Sequence, residues 1–302
     1  MATAAVAELD KQFGIPGSVK VCTGNGALPR ILVSNSQVQG EIYLYGAQVT
    51  SWKPAGHEEL IFVSSKSSWQ EGQAIRGGVP ICFPWFRGKV DDPHAPAHGF
   101  ARTKVWQLES IVAGQDGITV SLFIVSDEQT RGLWPGEFRL THRVVFGAEL
   151  TMELTCINTG TATFYFGEAL HTYNRVADVQ QARVRGLDHI HFLDNTDANK
   201  EKIQHGDMNI ARQTDNAYLN TGHAVDLIDP KLQRQICLRK TNSHNTVVWN
   251  PWRESAAKIK DLGDDEWLQF LCVEACNILD SQVALAPGQE HKMTAVLSVA
   301  KL

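Results

Sequence analysis

The spacing of apolar residues constrains this chain most: short runs of period two recur, and helical periodicity is nearly absent. Runs at 30–33, 41–45, 60–63, 118–125, 138–146, 150–157, 162–170, 224–228, 234–238, 245–249, 268–275 and 293–299 are rich in Val, Ile, Phe and Thr. Gly, Asn, Asp or Pro bounds most of them. Successive side chains of a strand point to opposite faces, so such runs bury one face each, or both where the run is continuous. Only 253–262 (RESAAKIKDL) reads as a short helix or turn. No internal repeat and no Pro/Ser-rich linker divides the sequence. The expected fold is all-β, a large antiparallel sandwich in one domain over 1–302, with 1–20 as a loosely ordered N-terminal arm.

With 43% apolar residues in 302, the chain can bury a large core. Charged residues make up 20% and the net charge is −5, an ordinary surface without a basic patch for nucleic acid. A mildly acidic protein that binds an anion must concentrate positive charge locally, which draws attention to arginines inside motifs. No apolar run approaches the roughly 18–20 residues of a membrane span. The start, MATAAVAELDKQFG, has no basic segment, carries Glu8 and Asp10, and reads as neither a signal nor a transit peptide. Six cysteines are scattered, and Cys82, Cys156, Cys272 and Cys276 sit in apolar runs. They read as small buried hydrophobes of a reducing compartment. The expected location is the cytoplasm, with an organelle left open.

Two stretches break the strand rhythm. Residues 72–102 combine Gly and Pro with aromatics and arginines, and 249–267 combine three Trp with mixed charge. Both carry too many large apolar groups for disorder and read as ordered, site-building loops.

Chemistry is suggested first by Glu274, which interrupts the apolar strand LQFLCVEAC at 268–276. A lone ionised carboxylate there costs several kcal/mol, so Glu274 is either paired with a buried arginine or functional. Alternation puts Cys272 and Cys276 on its face, and these small neighbours leave room for a cavity. In 162–173, read as a strand, one face carries Tyr165, Gly167, Ala169, His171 and Tyr173. By itself His171 reads as an ordinary hydrogen-bonded histidine, but an imidazole plus a carboxylate can move two protons near neutral pH. Arg76, before Gly77-Gly78, and Arg102, at the end of HGFAR, present forks suited to phosphate or carboxylate, or alternatively sit in surface ion pairs. His94 and His98 have metal-like spacing, but Pro93 and Pro96 oppose the helix it requires. His189 and His191 share a strand face without a carboxylate at matching spacing. No metal site is expected.

IRGGVPICFPWF at 75–86, HGFAR followed by Trp106, ALHTYNRVADV at 169–179, and VVWNPW…LGDDEWLQFLCVEA at 247–275 together resemble the glucose-6-phosphate 1-epimerase family, relatives of aldose 1-epimerase. The resemblance spans residues 30–300. It implies a galactose-mutarotase-like β supersandwich that interconverts the anomers of a hexose 6-phosphate. It also implies roles: His171 as general acid on the ring oxygen, Glu274 as general base on the anomeric hydroxyl, and Arg76, Arg102, Asp215 and His98 as substrate-binding residues. No cofactor follows from that chemistry. The implied partner is a small-molecule sugar phosphate, with no nucleic acid, no membrane and a monomeric state. Ala97, Asn216, Arg253 and the sequence WFRGK, where a glycine often follows the aromatic, depart from the family pattern. These departures bear on phosphate and hydroxyl recognition rather than on the acid–base pair. Three rival readings stand beside this one: a non-catalytic carbohydrate-binding sandwich, a mutarotase for unphosphorylated aldoses, and a lyase on a related fold.

Overall fold

The structure is a computed structural model and describes residues 3–302. Its strands form antiparallel ladders in three main sheets. Four strands from Val19–Thr23 to Gln48–Pro54 make a consecutive meander. A nine-stranded sheet runs from Met208–Asn209 to Gln107–Gly114, with the long strand Glu290–Lys301 at its middle. An eight-stranded sheet centres on Phe270–Asn277, flanked by Asn245–Asn250 on one side and by Glu168–Leu170 and Tyr173–Arg175 on the other. One large core joins the sheets, with Trp52, Trp106, Phe83, Phe138, Phe146 and Phe270 fully buried. No helix among the described residues is long and apolar enough to cross a membrane.

Most apolar runs become strands because one or both of their faces meet this core. Phe138–Phe146 coincides with its run, and Leu150–Asn158 alternates fully buried with half-buried residues. Gln107–Gly114 and Lys200–Ile203 have no such signal because they are edge strands, largely exposed. The run 60–63 forms no strand and makes only single bridges, Ile61 to Asn174 and Val63 to Gly77. Residues 268–269 belong to the 3₁₀ turn Glu266–Gln269, so the central strand begins at Phe270. Within the segment read as an arm, Thr3–Phe13 is a helix whose Val6 is buried in the core. Its Asp10 carboxylate accepts a hydrogen bond from the Val21 amide at 2.7 Å.

The expected strand 162–173 is divided instead into Phe164–Phe166, Glu168–Leu170 and Tyr173–Arg175. The amides of Gly167, His171 and Tyr173 leave the ladder and donate to the carbonyls of Pro84, Pro80 and Gly78. This segment is therefore laced to the 76–86 loop, which sets that loop over the end of the sheet. A second clamp holds the loop: the buried Gln48 amide donates to the carbonyls of Ile75 (3.2 Å) and Gly77 (2.6 Å).

Gly99 closes the loop. Its φ is +72°, and a Cβ there would lie 1.9 Å from the Phe83 carbonyl oxygen. Gly99→Ala therefore combines left-handed strain with a backbone clash. We expect it to cost about 3 kcal/mol or more of unfolding free energy in urea melts, and a loss below about 1 kcal/mol contradicts this packing.

Candidate active site

Glu274 lies at the middle of the central strand, opposite Val247 and fully buried. Small groups surround this part of the sheet, with Cys82, Ala169, Ala217, Val247 and Cys276 in one cluster. Val247 and Glu274 also line a cavity of about 250 Å³. Every residue singled out for the site lines it: Arg76, His98, Arg102, His171, Asp215 and Glu274. They come from four separated stretches of sequence, brought together by the lacing of the 76–102 loop to the sheet.

His171 and Glu274 face each other at 3.3 Å, Nδ1 to Oε1, without hydrogen-bond alignment. His171 Nδ1 and both Glu274 oxygens are buried without any partner. The His171 ring is fixed from three sides. It stacks on Tyr173 (centroids 4.9 Å, 15° between planes), meets the edge of Trp249 at 5.7 Å, and meets His98 at 5.6 Å. Burial, reinforced by the charges of Arg102 and Arg76, lowers the His171 pKa to about 3. Burial pushes the Glu274 carboxyl well above the ordinary glutamate range, and the charge of Asp215 adds to this. Near neutral pH His171 is therefore a neutral imidazole, beside a carboxyl group whose protonated form burial favours.

His98 is also kept neutral, first by burial and then by Arg102. Its Nδ1 accepts a hydrogen bond from the Arg87 amide at 3.2 Å, which assigns the remaining proton to Nε2 as a donor. Arg87 and His98 both adopt left-handed backbone, at φ +60° and +65°. Each costs on the order of 1 kcal/mol or more, and the mutual hydrogen bonds of the two residues, including His98 N–H to Arg87 C=O at 2.7 Å, hold them there.

Three arginines ring the cavity, in three different states. Arg76 is engaged by Asp261 at 3.1 Å and by the Tyr173 hydroxyl at 3.3 Å. Arg87 is engaged by Asp215 at 2.5 Å, whose other oxygen accepts from Asn195 at 2.6 Å. Arg102 donates only to the Ala97 carbonyl, at 2.9 Å, and has no carboxylate partner among the described residues. It is the cavity cation most available to an incoming anion.

Six cavity residues have no role assigned from the sequence: Phe86, Arg87, Ala97, Tyr173, Val247 and Trp249. Arg87 had a signal, since it is the residue that breaks the usual aromatic–glycine step. Asp261 had none, because its pairing with Arg76 spans 185 residues. Of the other departures, Asn216 is buried on the face of its strand opposite Asp215, and the Arg253 guanidinium lies over Trp267 at 5.8 Å and does not line the cavity. His94 is exposed and apart from the site, and His189 lies outside the strand His191–Asp194 with φ +59°.

A sandwich of antiparallel sheets, with an imidazole and a carboxyl buried in a polar cavity at one sheet, defines the class of mutarotase-type β proteins. The chain belongs to the aldose 1-epimerase family, whose family model matches residues 29–298. It is 33% identical over 299 residues to a Cenchrus ciliaris protein named "Putative glucose-6-phosphate 1-epimerase", covering 95% of this chain and 89% of that one. The crystal structure of a "putative mutarotase" from Salmonella typhimurium superposes with a TM-score of 0.89 at 30% identity, covering 96% of both chains. A galactose mutarotase related enzyme from Lactobacillus acidophilus shares the fold at 16% identity, with a TM-score of 0.71 over 89% of this chain and 97% of that one.

The two shifted groups make stability depend on pH in opposite directions. Folded Glu274 holds a proton that the unfolded chain releases, so stability is lost as pH rises from the ordinary glutamate value toward the raised one. Unfolded His171 takes up a proton that the folded site refuses, so stability is lost as pH falls from 6.5 toward about 3. We expect Glu274→Gln to flatten the alkaline limb of unfolding free energy against pH, and His171→Asn the acid limb, each by up to a few kcal/mol. Urea melts across that range test this, and curves parallel to wild type contradict it.

Proposed function

We propose that this protein catalyses exchange between the α and β anomers of a hexose 6-phosphate, most simply glucose 6-phosphate. The observation that carries the reading is the unpartnered His171–Glu274 pair, buried at the base of a cavity ringed by arginines. A buried pair kept only for stability would have its hydrogen-bonding capacity used. Here it is left unused, on residues that line a cavity rich in charged and polar side chains.

Anomer exchange opens the C1–O5 bond, rotates the carbonyl about C1–C2, and closes the ring on the other face. Opening removes the proton from O1 and delivers one to O5. Glu274 takes the first and His171 supplies the second, and the roles reverse on closure. The pair needs only one transferable proton for this. The two pKa shifts favour Glu274 as the holder of that proton. Burial is the main cause of the low His171 pKa, and a phosphate bound at Arg102 and Arg76 offsets the part that those two charges add. The proton then moves toward the imidazole, leaving a carboxylate base and an imidazolium acid. Binding of the phosphate and readiness for proton transfer are thereby linked. His98 Nε2–H and Asp215 face the same cavity as a donor and an acceptor for sugar hydroxyls.

His171→Asn and Glu274→Gln should each slow anomer exchange of glucose 6-phosphate by roughly 10²–10⁴-fold with the fold intact, followed by NMR. Near-wild-type rates in both variants contradict the assignment. Arg102→Ala should weaken the phosphorylated sugar far more than the free sugar, by roughly tenfold or more in apparent affinity, and Arg76→Ala should act in the same direction. Equal losses for both sugars argue for an unphosphorylated aldose as substrate.

A further inference from the structure

Cys272 takes no part in the scheme above, yet it lies against both members of the pair. It is fully buried, two residues from Glu274 on the same strand face, and paired across the sheet with Tyr173 and Trp249. One ligand atom each from His171, Cys272 and Glu274 lies within 4.8 Å of the others. We propose that these three side chains form a binding site for a soft divalent cation, Zn²⁺ or Cd²⁺, and that its occupation shuts the active site.

Imidazole, thiolate and carboxylate are all zinc ligands, and three protein ligands with one open position is the geometry of an accessible zinc site. Zinc bonds of about 2.0–2.3 Å place tetrahedral donors roughly 3–4 Å apart. The separations here need closing by only about an ångström, within the reach of small side-chain rotations. No existing hydrogen bond has to break, because His171 Nδ1 and both Glu274 oxygens are unpartnered. His171 and Glu274 line the cavity, so in this proposal the ion enters from there and displaces the sugar.

Binding replaces protons by the metal. The Cys272 S–H bond breaks, the sulfur lone pair goes to the cation, and the proton leaves to solvent, as does the proton on Glu274. One thiolate and one carboxylate then cancel the charge of the ion, so the occupied centre adds no net charge beside Arg76, Arg87 and Arg102. Burial holds the Cys272 thiol well above its ordinary range, which opposes binding and is overcome by the sulfur–metal bond.

The test uses the full-length protein freed of metal with a chelator. Zn²⁺ is titrated by calorimetry, and Co²⁺ by absorption, where a thiolate–cobalt charge-transfer band reports sulfur ligation. We expect one ion per chain, competition by glucose 6-phosphate, and a loss of roughly 100-fold or more in affinity in Cys272→Ser. Thermal melts verify the fold of that variant, and Cys272→Ala serves as a second. Both should retain anomer exchange and resist Zn²⁺ inhibition. Absence of binding overturns the proposal. So does equal binding by wild type and variants, which places the ion elsewhere, for instance at the exposed His189 and His205 pair. The binding measurements stand apart from catalysis. Only the inhibition rests on the acid–base reading, so failure of one is distinguishable from failure of the other.

Discussion

Glu274 is a carboxyl group set in the middle of a strand whose eight residues are all buried, and neither of its oxygens makes a hydrogen bond. Ionised and unpaired, it would destabilise the sheet by several kcal/mol. Its surroundings favour the protonated form, with small groups on the same sheet face and a neutral imidazole 3.3 Å away. Much of the nearby architecture follows from this requirement. Ala169, Ala217, Cys272 and Cys276 leave room where larger residues would fill the sheet face. Tyr173 and Trp249 then wall the opening and fix the plane of His171.

The arginines bring a second constraint. Burial first, and then the guanidinium groups of Arg102 and Arg76, make protonation of His171 unfavourable. Asp261 and Asp215 hold two of the arginines, and Arg102 has no carboxylate partner among the described residues. An anionic substrate changes this balance where a neutral one does not. In the proposed function, recognition of the anion and the proton inventory of the pair would be linked through Coulombic fields over a few ångströms of low dielectric.

Much of this was legible in the sequence, for reasons that differ by residue. Interior strands such as Phe138–Phe146 are written in their alternation because burial on one face imposes it. Edge strands such as Lys200–Ile203 are not, because solvent imposes nothing on them. Glu274 stood out unaided, since an acidic residue in an apolar strand is costly. His171 did not, because a histidine on a strand is chemically ordinary, and only the resemblance of its surrounding motif singled it out. The break in the strand at Gly167 and Thr172 was not legible, because it depends on the carbonyls of Pro80 and Pro84, distant in sequence. For the same reason the state of each arginine was hidden: Asp261 is paired with Arg76 by tertiary folding alone.

The central claim is that the buried pair moves protons on a sugar rather than merely surviving burial. Two-dimensional ¹³C exchange spectroscopy of glucose 6-phosphate labelled at C1 tests it directly, because cross-peaks between the anomeric signals report the exchange rate at equilibrium. With substoichiometric wild-type protein the account predicts cross-peaks that grow in proportion to protein concentration, well above the spontaneous rate. Cross-peaks that stay at the spontaneous rate, while the sugar phosphate still binds in the cavity, contradict it.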